Sequence, residues 1–276
     1  MAITVRLYED AQSFSAAAEA FLLQRPVLHN LILTIIDNRI THPEPGRYWV
    51  ALHGDQVVGA ALQSPLTFPA TIVPMQPEAA AAIVDAITDA GIILPGVNGE
   101  AATAATFAGH WTERHKSTAH PTQGIRLYEL LKLNEIPAVD GHLREAEASD
   151  RDQAVSWMQA FYAETHALAS NPETLIDNAI QSRRLWIWQQ GTTVSMATAS
   201  QPIHNVVRIS AVYTPPAHRA RGYAGACVHA LSSNLTDAGH RCILYTDLGN
   251  PTSNSIYRKI GYQAVSEALH YRFDPL

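Results

Sequence analysis

The chain has 276 residues and a formal charge of −6, with 47% apolar and 16% charged residues, enough apolar material for a sizeable core in one large or two ordinary domains. No run of eighteen apolar residues occurs, and the start, MAITVRLYEDAQ, brings acids early with no apolar signal core, so neither a membrane span nor a secretion signal is expected. No five basic residues cluster, which argues against nucleic acid as the main partner.

From the N-terminus, residues 4–8 read as a short strand. Residues 10–23 follow as a helix, with apolar positions at Phe14, Ala17, Ala18, Phe21 and Leu22. A second apolar helix covers 28–39, after Pro26. Residues 47–53 and 56–63 form a hairpin about the turn pair Gly54-Asp55. A third strand covers 68–73, and the alanine-rich stretch 76–90 is a helix. Strand 92–97, helix 100–115 and strand 125–133 complete this half. Pro137 and Gly141 make 135–141 a candidate linker.

The second half repeats the order. A short strand at 143–146 leads to a helix reaching about residue 167, capped by Ser149 or Asp150. Helix 172–182 opens on a proline. Strands 185–189 and 194–200 turn about Gly191. Strand 206–213 is followed by a basic, double-proline loop and a helix over 222–237 with apolar residues at Ala226, Cys227, Ala230, Leu231 and Leu235. Strand 242–247, a helix from Asn250 to Ile260 closed by Gly261, and strand 263–273 end the chain. Cys227 and Cys242 read as buried thiols. The thirteen histidines lack a coherent ligand spacing with carboxylates or cysteines, so a metal site is not expected. The default location is cytoplasmic, and the expected state is a monomer or homodimer.

Strand, basic turn and a helix opening on glycine also form a chemical arrangement. A helix start offers unpaired N–H groups and the positive end of its dipole to an anion such as pyrophosphate, and glycine lets backbone approach it. The run Arg219-Ala220-Arg221-Gly222-Tyr223-Ala224 resembles the R/Q-x-x-G-x-G/A phosphate loop of the GNAT superfamily, the acetyl-CoA-dependent N-acetyltransferases. Downstream, NPTSNSIYRKIGY from Asn250 resembles that family's N-x-x-x-x-x-x-Y-x-x-x-G-F/Y element, in the family's order and separation. The resemblance covers roughly residues 143–273.

The resemblance implies an α/β (α+β) protein of two GNAT-like domains, each a mixed, mostly antiparallel sheet flanked by helices. The first (1–138) would be a degenerate copy without cofactor: it has Pro69, Pro74 and Met75 where the loop would stand. Asn98-Gly99 echo Asn250, but Ala105 stands where the tyrosine would fall. An unrelated α/β domain is the alternative. The second (139–276) would be catalytic, binding acetyl-CoA and acetylating a small-molecule or peptide amine in a ternary complex. On this pattern the backbone of Ala211, Val212, Tyr213 and Thr214 pairs with the pantetheine arm, with an N–H near Val212 facing the thioester carbonyl. Arg219, Ala220, Arg221, Gly222, Tyr223 and Ala224 hold the pyrophosphate, with Tyr223 itself more a packing residue. Asn250 and Ser253 serve the pantetheine amides, with Asn254 a neighbour sharing that work, and Asn250 also suits a helix N-cap. Tyr257 is the general acid for the leaving thiolate, its ordinary phenol pKa of about 10 lying close to a thiol's. A primary amine must also be made neutral, at a cost of about 4 kcal/mol near pH 7. The central strand carries Arg208 and Ser210 where some relatives have a carboxylate. The base is therefore left among Asp247, Glu164, His166 and a water relay. A non-catalytic acyl-CoA-binding module, or an acyltransferase with another acyl group or acceptor, are the alternative readings.

Overall fold

A computed structural model describes residues 2–165 and 171–275. In chain order it contains β1 (Ile3–Tyr8), α1 (Ala11–Leu22), α2 (Asn30–Thr41), β2 (Arg47–His53), β3 (Gln56–Gln63), β4 (Ala70–Ile72), α3 (Pro77–Asp89), β5 (Gly96–Glu100), α4 (Ala101–His115) and β6 (Ser117–Leu130). There follow β7 (His142–Glu145), α5 (Arg151–Thr165), α6 (Pro172–Gln181), β8 (Leu185–Gln190), β9 (Thr192–Ala199), β10 (Val206–Tyr213), α7 (Tyr223–Asp237), β11 (Arg241–Asp247), α8 (Pro251–Ile260) and β12 (Tyr262–Pro275). The periodicities place every one of these elements, and most bounds differ by one to three residues. The largest departures are β5, which starts at Gly96 rather than 92, and β6, which starts at Ser117 rather than 125. Asn98 does not begin a helix. It lies in β5, and Glu100 caps α4 by accepting from the Ala102 and Thr103 N–H groups at 3.2 and 2.9 Å. None of the described helices is long and apolar enough to cross a membrane.

The chain divides into two compact units, and the division differs from the expected break at 138/139. One unit comprises the chain up to Leu127, Thr246–Gly249 and the chain from Ala264 onward; the other is Tyr128–Tyr245 and Asn250–Gln263. Strands β6 and β12 therefore each run from one unit into the other. Residues 135–141 are no free linker. Within the second unit the Asn134 N–H donates to Ile260 O at 2.8 Å, and Trp188 Nε1 donates to Asp140 O at 3.1 Å.

In the first unit the strand order is β1-β2-β3-β4-β5-β12-β6, antiparallel throughout β1 to β4, parallel between β4 and β5, and antiparallel between β5 and β12. The last strand is part of this core. Tyr271 pairs with Val97, Phe273 N–H donates to Pro95 O at 3.0 Å, and the Phe273 ring stacks on Trp111 with centroids 5.1 Å apart. Gly96 permits the approach, since a Cβ there would lie 2.1 Å from Tyr271 O. In the second unit the order is β6-β11-β10-β9-β8-β7, with β10 and β11 parallel and β10 to β7 antiparallel. Its core is built from Cys227, Leu231, Leu244, Tyr257 and Tyr262, with Tyr128 from the end of β6.

Because Phe273 is 8% exposed and fills the face of Trp111, Phe273→Ala is expected to lower stability by about 3 kcal/mol. Urea unfolding at neutral pH checks this; a loss under 1 kcal/mol would mean that the terminal strand is dispensable to the first core.

Candidate active site

The candidate site lies in the second unit, where β10 parts from β11. Their parallel register runs from Val206↔Arg241 to Ile209↔Leu244. One residue later β10 bulges: Ser210 faces Thr198 and Tyr213 faces Met196, so three steps on β10 meet two on β9. Ala211 carries the extra residue at φ +47°. A bulge frees backbone groups from the ladder and bends the strand. Ala211 and Val212 are thus the groups available for an extended ligand, while Tyr213 O accepts from the Ser195 hydroxyl at 3.0 Å. Thr214, next along, shares a 2.9 Å hydrogen bond with Ser195 Oγ.

The loop after β10 makes one 3-10 turn, Pro216–His218, and reaches α7 through Arg219, Ala220, Arg221 and Gly222. Ala220 at φ +60° and Gly222 at φ +83° both occupy the left-handed region, which alanine seldom adopts. No side chain caps α7, and its first turn contains no acid. The first helical bond runs from Ala226 N–H to Gly222 O at 2.9 Å, so the N–H groups of Tyr223, Ala224 and Gly225 lie ahead of the ladder. Such a terminus fits an anion. Arg221 and Gly222 are exposed, and Tyr223 is buried, its hydroxyl 3.3 Å from Gln190 Oε1.

The matching corner of the first unit is built the other way. Helix α3 has Pro77 in its first turn, which removes a donor, and Glu78 beside it, which opposes an anion. Beside it the glycines of β3 and β5 are closely packed. A Cβ at Gly99 would lie 2.4 Å from Ile72 Cγ1, and one at Gly59 would lie 2.7 Å from Met75 Sδ.

Asn250 caps α8, its Oδ1 accepting from Ser253 N–H at 3.0 Å. Asn254 is not available as the neighbour it resembles in sequence. It is 4% exposed, and its amide bridges Tyr128 (hydroxyl to Oδ1, 2.9 Å) and Asn250 (Nδ2 to O, 2.7 Å). Gly261, the glycine of the second motif, ends α8 at φ +116°, where a Cβ would lie 2.0 Å from Lys132 O. Tyr257 is 8% exposed between Tyr128 and Tyr262, both edge-on, and hydrogen-bonds the Ser253 side chain. Burial pushes its phenol up to about 12, so it is further from a thiol's range than its type alone implies.

Of the candidate bases, Glu164 at the end of α5 accepts from Arg219 Nη2 at 2.8 and 2.7 Å and from the Tyr213 hydroxyl at 3.1 Å. The expected cofactor arginine and the expected base are thus each other's partners. The pairing raises the Arg219 pKa. Asp247 is exposed at the end of β11 and accepts from Gly249 N–H at 2.6 Å; its residue belongs to the first unit. His166 lies outside the described residues. Sequence reasoning missed Tyr128. It sits in the first half of the chain, and only the passage of β6 into the second unit brings it to Tyr257. Among the described residues no group of three or more His, Cys, Asp or Glu could hold a metal ion.

The family model described as FR47-like protein matches residues 188–271, the stretch that carries β10, the loop, α7 and α8. A GNAT-family acetyltransferase from Colwellia psychrerythraea superposes with a TM-score of 0.64 at 11% identity, covering 98% of this chain and 100% of that one. The chain has a tandem GNAT fold. A GCN5-related N-acetyltransferase from Sphaerobacter thermophilus shares this GNAT fold with a TM-score of 0.64 at 13% identity, over 97% of this chain and 95% of the other. A tandem GNAT protein from the clavulanic acid biosynthesis pathway shares it at 0.54 and 11%, over 97% of each chain. No curated protein matches the chain by sequence.

Burial makes the core of this GNAT unit sensitive to alkali. Cys227 and Cys242 are pushed from about 9 up to about 12, and Tyr257 from about 10 to about 12. Between those values the folded state holds protons that the unfolded state has released, so stability falls as pH rises from about 9 to 12. The slope is up to about 1.4 kcal/mol per pH unit for each group. Urea midpoints are expected to drop between pH 8.5 and 10.5, and to drop less in Cys227→Ala. Equal slopes in the two proteins would show that the thiol is not held protonated.

Proposed function

We propose that the second unit binds acetyl-CoA and transfers its acetyl group to a primary amine by direct attack in a ternary complex. One observation carries the reading: an uncapped, glycine-started helix without an acid in its first turn follows directly on a bulged strand that parts from its parallel neighbour. The first unit has the same elements but a proline, an acid and closely packed glycines there, which supports a non-catalytic role for it.

In this reading the N–H groups of Tyr223, Ala224 and Gly225, with Arg219 and Arg221, hold the pyrophosphate, and the backbone freed at Ala211 and Val212 holds the pantetheine arm. Asn250 and Ser253 stand at the start of α8, where one helix can serve both the arm and Tyr257. The bound thioester supplies the acyl group. Tyr257 keeps its proton across the physiological range. Full transfer to a leaving thiolate near 8.5 is uphill by three to four pH units, roughly 5 kcal/mol, so its main role is hydrogen-bond donation to the developing negative charge on sulfur. The attacking amine's own proton then completes the balance. Removal of that proton falls to a water relay; the Glu164 carboxylate, which accepts from Arg219 and Tyr213 in the free chain, is read as serving the loop. A buried phenol at this place favours catalysis over a non-catalytic acyl-CoA-binding module, which needs no donor at the sulfur.

A thiol-release assay with acetyl-CoA and a panel of primary amines tests the reading. Tyr257→Phe keeps the ring and its packing, and is expected to lower turnover by about 100- to 1,000-fold with little change in Kd for acetyl-CoA. Turnover within about threefold of wild type would leave Tyr257 a packing residue.

Gly222→Val places a β-branched side chain at φ +83°, with its Cβ 3.1 Å from Val139 Cγ2, at the mouth of the anion site. Its affinity for CoA is expected to fall at least tenfold while circular dichroism still reports the fold. Unchanged affinity in calorimetry would place the anion elsewhere.

A further inference from the structure

The Arg219 side chain is held by partners other than the helix terminus it is expected to serve. Its Nε donates to Thr214 O at 2.9 Å, and its Nη2 lies between the two oxygens of Glu164 at 2.8 and 2.7 Å. Its guanidinium also stands over the Tyr213 ring, 5.7 Å from the centroid, and the Tyr213 hydroxyl donates to the same carboxylate at 3.1 Å. Arg219 of the loop and Tyr213 at the end of β10 thus close on one side chain from the end of α5.

We infer that Glu164 is a latch that competes with the cofactor's pyrophosphate for Arg219, so that binding of the phosphates releases the end of α5 from the loop. The inference rests on the proposed binding of CoA at this loop. Its physical basis is charge accounting. A guanidinium shared between a carboxylate and a phosphate leaves the two anions side by side, and an anion carrying several charges outcompetes one carrying a single charge. The latch is weak enough to be displaced, because the side chains of Arg219 and Glu164 are 46% and 43% exposed and pairs of that exposure contribute little. It is specific because one carboxylate gathers both Arg219 and Tyr213. Glu164 is therefore a positioning residue for the cofactor rather than a base.

The test is calorimetric titration of CoA into the full chain as wild type, Glu164→Gln, Arg219→Gln and the double variant, with inorganic pyrophosphate as a second ligand. Both positions are partly exposed, so the variants are expected to fold, and thermal unfolding of each verifies it. Glu164→Gln is expected to tighten CoA by about two- to fivefold, the range set by an exposed ion pair. Pyrophosphate should tighten by a similar factor, and the gain should vanish when Arg219 is already Gln. A purely structural role for Glu164 would not produce that dependence on Arg219. Three results overturn the latch: weaker CoA binding by Glu164→Gln, which makes the carboxylate a scaffold for the arginine; a full gain in the Arg219→Gln background, which makes it a plain repulsive charge; or a gain for CoA without one for pyrophosphate. Absence of CoA binding by the wild type overturns the cofactor reading itself, and the latch with it.

Discussion

The constraint on which the candidate site depends is that β10 cannot stay paired with β11 along its whole length. Four residue pairs, from Val206↔Arg241 to Ile209↔Leu244, hold the two strands in parallel register. The extra residue at Ala211 then turns β10 out of step with β9 as well. Backbone groups freed from both neighbours must find partners in water or in a ligand, because leaving them buried and unpaired costs as much as a lost hydrogen bond. The loop that follows delivers α7 with its own first N–H groups uncapped. Two kinds of unsatisfied backbone, one extended and one helical, thereby lie within a few residues of each other. They suit the two parts of a cofactor that has an amide-bearing arm and a pyrophosphate.

The two units show how little has to change for this corner to disappear. Both have a helix after their fourth strand, and both set a parallel pair beside it. In the first unit a proline and a glutamate occupy the first turn of that helix, while Ile72 and Met75 fill the space that glycines leave beside the strands. The same elements then make an apolar core. A tandem GNAT protein is among the structures similar to this one.

Tyr257 illustrates the cost of placing a donor in a core. Two edge-on tyrosines and a serine surround it, and burial favours the neutral phenol so strongly that its proton is held to about pH 12. A group of that kind stabilises charge on a neighbour by donating a hydrogen bond more readily than by surrendering a proton. Its partners are spread along the chain. Ser253 is one turn away on α8, Tyr262 opens β12, and Tyr128 stands at the end of β6, so the donor's setting is a product of the tertiary fold.

Local pattern determined the elements. Hydrophobic spacing, turn pairs such as Gly54-Asp55 and caps such as Asn250 act over a few residues, and they place the strands and helices of both halves. The Arg219–Ala224 and Asn250–Gly261 runs were legible for the same reason: each is a contiguous segment whose chemistry depends on its own backbone. The tertiary structure decided the rest. It closed Glu164 onto Arg219 across 55 residues, joining a helix end and a loop that no local pattern connects. It also carried β6 into the second unit and β12 into the first, giving Tyr128 to the site and Phe273 to the first core, and it packed the expected linker against the second unit. No local signal reports such exchanges. A strand's own sequence states that it will pair and which face it will bury, whereas the neighbour it pairs with is chosen by whichever sheet edge and apolar surface the folded chain brings to it.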